Sequence, residues 1–154
     1  MSKEIQSIVK TFQNTLSGQP WFGRAVYELL SEVNPADVFE KTGDKGHSLI
    51  ELLYHMITWA EFTLSRLEKQ EKNAADFESL DWRKINPSVH SWEKGIKEFK
   101  DIHQKIIAIL ETKNDDFLKE MVDDRKYNYR FLLNGLIQHN IYHLGQIAYI
   151  NKLN

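Results

Sequence analysis

The sequence predicts an all-α protein, a four-helix bundle with long connections, from three observations. Apolar residues recur at intervals of three and four, no run of alternating Val, Ile and Thr is sustained enough for a sheet, and four stretches carry such stripes at helix length. At 154 residues and 18.2 kDa, one domain spanning 1–154 can bury a sizeable core without disulfides or a structural metal. A composition of 42% hydrophobic and 27% charged residues, with three prolines and seven glycines, excludes a disordered or fibrous chain.

The elements follow in order. Ile5, Ile8, Val9, Phe12 and Leu16 form a first amphipathic stripe, which SGQP at 17–20 interrupts before WFGRAVYELLSEV resumes it. Either two short helices or one helix broken near residues 17–20 therefore occupies 3–33. NPADVFEKTGDKG, with Asn-Pro, glycines and charges, reads as a connecting loop. A long helix then runs from about 47 to 70, with Leu52, His55, Trp59, Phe62 and Arg66 on one face flanked by Leu49, Leu53, Met56 and Leu67. Residues 71–87 make a second long connection. A third helix is expected from Pro87 or Ser88 to near Lys113, its seam supplied by Ile96, Phe99, Ile102, Ile106, Ile109 and Leu110. NDDFLKEMVDDRKYN is acidic and irregular, with room for one helical turn. Asn128 is placed to cap the last helix, whose stripe is Leu132, Leu136, His139, His143, Ile147 and Ile150.

Twenty basic against twenty-two acidic residues give a net charge of −2, which provides no field for nucleic acid or anionic lipid. The chain has no cysteine, so disulfides, thiolate-bound zinc and a cysteine nucleophile are excluded, and a reducing cytoplasmic location is expected. MSKEIQSIVKTFQ lacks the apolar run of a secretory signal, and no stretch reaches the roughly 18 apolar residues of a spanning helix.

Two histidines, His139 and His143, sit four residues apart in an apolar run that reads as a helix interior. That spacing projects both side chains about 40° apart around the axis and one turn along it, so both imidazoles can reach one ion. A third ligand must come from another helix, and His55 lies mid-helix on a strongly apolar face. A metal site, a catalytic pair and two histidines tolerated by the core all remain open on pattern alone. A zincin helix is excluded, because Asn140 stands where that motif needs glutamate. A di-iron carboxylate bundle is excluded too, since no histidine has a glutamate three residues before it.

GHSLIELLYHMITWAEF at 46–62, the tryptophan of LDWRKI, and GLIQHNIYHLGQIAYI at 135–150 together closely resemble the DinB-like (YfiT-like) superfamily. The resemblance runs from QPWFGRAV onward, and its most specific part is the C-terminal H-x3-H-x-G-Q segment. It implies a four-helix bundle in which His55, His139 and His143 bind a divalent ion, nickel or zinc ahead of iron or manganese. It implies an enzyme acting on a small molecule, by transfer of a low-molecular-weight thiol or by hydrolysis. A non-catalytic metal-holding or small-ligand-binding module, acting as a homodimer through helix faces, is the alternative, and an inert bundle with a vestigial triad is a third reading.

Three neutral imidazoles would leave the double charge of an ion uncompensated and at least one coordination position open, which makes a Lewis acid. No general base is evident, because Glu61 points away from His55 in a regular helix. His47 is expected to cap or pack at the start of its helix, His103 to be partly exposed, and His90 carries no signal. Gly145 suggests a close helix approach, since glycine costs about 1 kcal/mol against alanine in mid-helix. Gln146 is within reach of an outer hydrogen bond to His143. Trp21, Trp59, Phe62, Trp82 and Tyr142 are read as core or interface, with Trp59 the best candidate for a place in the site.

Overall fold

The computed structural model describes residues 2–154. Among the described residues six α-helices are present: α1 (Lys3–Ser17), α2 (Val26–Glu32), α3 (Leu49–Leu67), α4 (Ala74–Glu78), α5 (Trp92–Leu110) and α6 (Tyr129–Leu153). A 3-10 helix, Asp115–Lys119, lies before α6. Among the described residues there is no strand, only isolated antiparallel bridges at Lys41 with Ser48 and Met121 with Asn128. The four long helices form the bundle, with α3 packed against both α5 and α6, and α1 meeting the same two helices.

Helix α3 is central because its sequence leaves it almost no polar face. Sixteen of its 19 residues are buried, the exceptions being Glu51, Trp59 and Glu61. Its start is fixed by a capping box. Ser48 Oγ accepts from the Glu51 backbone N–H, and the Glu51 carboxylate accepts from the Ser48 N–H at 2.7 Å. The helix therefore begins at Leu49 rather than 47. It ends at Leu67, ahead of Lys69 in a left-handed conformation, instead of running to 70. Helix α6 is capped by Asn128, which accepts from Phe131 N–H, as its sequence position predicts.

The third bundle helix starts later than proline placement suggests. Asn86 Oδ1 accepts from Ser88 N–H and His90 Nδ1 accepts from Asn86 N–H, so side chains take the backbone donors and fold residues 86–90 into a turn. Ser91 then caps α5 by accepting from Lys94 N–H, and Trp92 anchors it by donating to Leu30 O. Helix α5 stops at Leu110, short of Lys113. The N-terminal stretch is two helices, and the connection after α3 contains the short α4.

Close helix approach occurs at Gly95, where a Cβ would meet Leu53 Cδ2 at 2.8 Å and Tyr54 Cε2 at 3.1 Å. Gly145 is not such a point, because nothing lies within 4 Å of where its Cβ would be. Among the aromatics read as core or interface, Phe62 is buried, whereas Trp21 and Tyr142 are exposed. His103 also differs from expectation, being fully buried. Its Nδ1–H donates to Phe99 O at 2.8 Å and its Nε2 accepts from Asn140 at 2.9 Å, so a polar pair from α5 and α6 is accommodated inside the core. Among the described residues no helix is long and apolar enough to cross a membrane.

Candidate metal centre

His55 from α3 and His139 and His143 from α6 converge. Their Nε2 atoms form a near-equilateral triangle: His55 to His139 3.0 Å, His55 to His143 2.9 Å, His139 to His143 3.1 Å. The two helices run antiparallel here, with Tyr129 OH donating to Arg66 O at 2.7 Å toward the other end of the pair. Helical repeat accounts for the pairing within α6, and packing of α3 on α6 supplies the third ring.

The outer faces of two rings are held by acceptors. His55 Nδ1 lies 2.9 Å from the Asp81 carboxylate Oδ1 and 3.0 Å from the Asp81 backbone oxygen. The same Oδ1 accepts from Trp59 Nε1 at 2.6 Å. His143 Nδ1 donates to Gln146 Oε1, the outer contact anticipated for that glutamine. Acceptors on both Nδ1 atoms put the proton there, so the Nε2 of each ring turns a lone pair toward the other across 2.9 Å. Two facing lone pairs repel unless a proton or a cation lies between them.

His139 differs from its neighbours because its Nδ1 is buried and has no partner. Without an ion, its proton is best placed on Nε2, donating toward one of the other two rings. With an ion on Nε2, the proton moves to Nδ1 and is unpaired, which costs about 1 to 3 kcal/mol. Structural zinc sites contribute on the order of 10 kcal/mol, so that cost does not prevent occupancy. The triangle also has the right size, since a point at the usual zinc–imidazole length of about 2.0 to 2.1 Å from all three nitrogens lies about 1 Å off their plane. The donor set thus fits a divalent ion of the imidazole-binding kind.

Electrostatics favour the neutral ligands such an ion needs. Burial lowers the pKa of His55 against the pull of Asp81, and lowers that of His143 against Gln146. His139 is pushed down to about 3, chiefly by burial and then by His143 and His55.

Aromatic rings fix the orientation further. Trp82 stacks on His55 at 3.9 Å between centroids and on His47 at 3.6 Å, so the indole is sandwiched between two imidazoles. His47 therefore has the packing role anticipated for it, while Trp82 belongs to the wall of the site rather than the core. Glu61 stands apart, 4.0 Å from Arg83, and its pKa is raised by burial and by Glu98. The residue that sequence reasoning missed is Asp81. It sits beside Trp82 in a charged, irregular connection, where spacing carries no information about what it faces.

A family model described as the DinB superfamily matches residues 22–147. The fold is similar to the crystal structure of a DinB-like protein, YjoA, from Bacillus subtilis, with a TM-score of 0.66 at 21% identity, covering 95% of this chain and 90% of that one. Comparison with curated proteins gives no match.

Proposed function

The chain belongs to the DinB superfamily, and from that premise we propose that it is a divalent-metal-dependent enzyme with His55, His139 and His143 as ligands. The observation that carries this reading is the pair of lone-pair-bearing Nε2 atoms, held 2.9 Å apart by acceptors on their outer nitrogens. Members of the superfamily bind metals, and nickel or zinc suits three neutral imidazoles best, with iron or manganese also accommodated.

A bound ion supplies Lewis acidity, stabilising a thiolate or a hydroxide at neutral pH. The protein's own groups do the rest. Asp81 keeps the His55 proton on Nδ1, Gln146 does so for His143, and Trp82 holds the His55 ring by stacking. Transfer of a low-molecular-weight thiol onto a small electrophile is favoured over hydrolysis. Asp81 Oδ1 is already shared by His55 and Trp59, and Glu61 lies beside Arg83, so neither carboxylate is free as a general base and the ion alone would have to favour deprotonation, which is easier for a thiol of pKa about 8.5 than for water of pKa about 15.7. In the transfer, the thiol would give up its S–H proton to solvent, sulfur would form a bond to the electrophilic carbon, and the leaving group would depart with the electron pair of the broken bond. The reading places the protein in the cytoplasm, with no nucleic acid or membrane partner. A non-catalytic metal-holding module, or a homodimer of one, is the competing account.

The test is turnover of 1-chloro-2,4-dinitrobenzene by zinc- and nickel-loaded protein with a panel of small thiols, including bacillithiol. Rate enhancement that is abolished by a chelator and by His139→Ala supports the transferase. Full metal occupancy with no thiol transfer or ester hydrolysis supports the holding module.

A further inference from the structure

A groove of about 170 Å³ runs between α3 and α6 and ends at His139. Its walls include Trp59 and Phe62 from α3, and Tyr127, Phe131 and Gly135 from the start of α6 and the loop before it. A larger cleft of about 1010 Å³ lies against α5 instead, and none of the three histidines lines it. Of these two, the smaller groove is the one that a histidine of the triangle lines.

We propose that this groove seats a neutral aryl group of the substrate, with the reacting atom directed toward the His139 end. The proposal rests on the metal reading for its chemistry, but the binding it claims can be measured without metal. Size sets the first limit, since a cavity of about 150 Å³ accepts benzene, so one six-membered ring with a short substituent fits. Chemistry sets the second. Among the described residues, none that lines the groove is formally charged. Thr63 Oγ1 already donates to Trp59 O at 2.9 Å, and Trp59 Nε1 already donates to Asp81 at 2.6 Å. The nearest cations, Arg66 and Arg125, stand over the Phe62 ring at 4.8 and 5.0 Å but are already engaged, Arg66 with Lys72 O and Asp124 and Arg125 with Glu78, so an ionic group pushed in here would lose its water without gaining a free counter-charge. The lining also favours rings over alkyl chains. Trp59 meets Phe62 edge-on at 5.7 Å, and Tyr127 meets Phe131 at 5.0 Å, so two aromatic pairs, one from α3 and one from the α6 side, line the same groove.

Gly135 gives a way to close the groove without touching a histidine. Nothing lies within 4 Å of its would-be Cβ, so a longer side chain can occupy the space. The experiment follows the fluorine resonance of 4-fluorobenzyl alcohol titrated with wild-type protein, zinc-loaded and chelator-stripped, and with Gly135→Leu. Saturable binding to wild type in both states, at least tenfold weaker in Gly135→Leu at unchanged zinc stoichiometry, is the expected result. Binding of 4-fluorobenzoate should be at least tenfold weaker than that of the alcohol. If Gly135→Leu does not fold, Phe131→Ala substitutes for it, because Phe131 is 65% exposed, and should weaken binding about threefold by removing one wall. No saturable binding to wild type, equal binding to the variants, or equal binding of the benzoate overturns the proposal. Ring binding by protein that takes up none of zinc, nickel, iron or manganese would instead sink the metal reading and leave the groove assignment intact.

Discussion

Replacing Asp81 by asparagine isolates one charge at the candidate site. Oδ1 receives both the His55 Nδ1–H, at 2.9 Å, and the Trp59 Nε1–H, at 2.6 Å, and an amide oxygen in the same place can accept both. What the change removes is the negative charge. A hydrogen bond to a charged acceptor contributes about 1.5 to 3 kcal/mol and one between neutral groups about 0.5 to 1.5, so the His55 contact weakens by about 1 to 2 kcal/mol. The weakening is felt mainly in the metal-bound state, when the ion draws electron density from His55 and makes its N–H a stronger donor. Every 1.4 kcal/mol is about tenfold in affinity, and loss of an outer partner of a ligating histidine typically costs about 10- to 100-fold. Because the asparagine oxygen keeps the hydrogen bond and only its charge is lost, competition titration against a chelator of known zinc affinity, at pH 7, should show Asp81→Asn weakened about fivefold to thirtyfold at unchanged stoichiometry. Affinity within twofold of wild type would refute the supporting role. Loss as complete as in His139→Ala would make Asp81 a ligand itself.

Two other outcomes follow from the fold. The pKa of His103 is pushed down to about 4 by burial, so between pH 6.5 and about 4 the unfolded chain takes up a proton that the native protein refuses. Its stabilisation is complete above pH 6.5 and is lost as pH falls through that window, by about 3 kcal/mol in all. Urea unfolding of chelator-treated protein at pH 7.5 and 4.5 should show a smaller acid loss for His103→Gln than for wild type, and equal losses would contradict the assignment. Gly145→Ala should stabilise by about 1 kcal/mol and raise Tm by about 2 to 4 °C, because the new methyl group meets nothing within 4 Å and the helix gains propensity. A fall in Tm would mean that α6 is covered at that position.

The bundle was legible because its helices carry apolar stripes, and the triad because imidazoles are conspicuous on such stripes. His139 and His143 share a face by helical repeat alone, and His55 stands out in a helix otherwise buried among Leu, Ile and Met. Contacts set by tertiary packing were not legible. Asp81 reaches His55 and Trp59 from a loop 22 to 26 residues away. His103 is buried because Asn140 meets it across α5 and α6, a pairing of residues 37 apart. Gly95 and Gly145 look alike in sequence, yet only the first faces a neighbouring helix. The start of α5 was misplaced because Pro87 suggests a helix opening, whereas Asn86 and His90 use their side chains to hold a turn.

The central claim concerns three imidazole nitrogens sharing one ion. Anomalous diffraction from crystals of untagged protein grown with zinc tests it most directly. The account predicts a single peak per chain, about 2.0 to 2.1 Å from Nε2 of His55, His139 and His143 together. A peak elsewhere, or one bound by the α6 pair without His55, would contradict it.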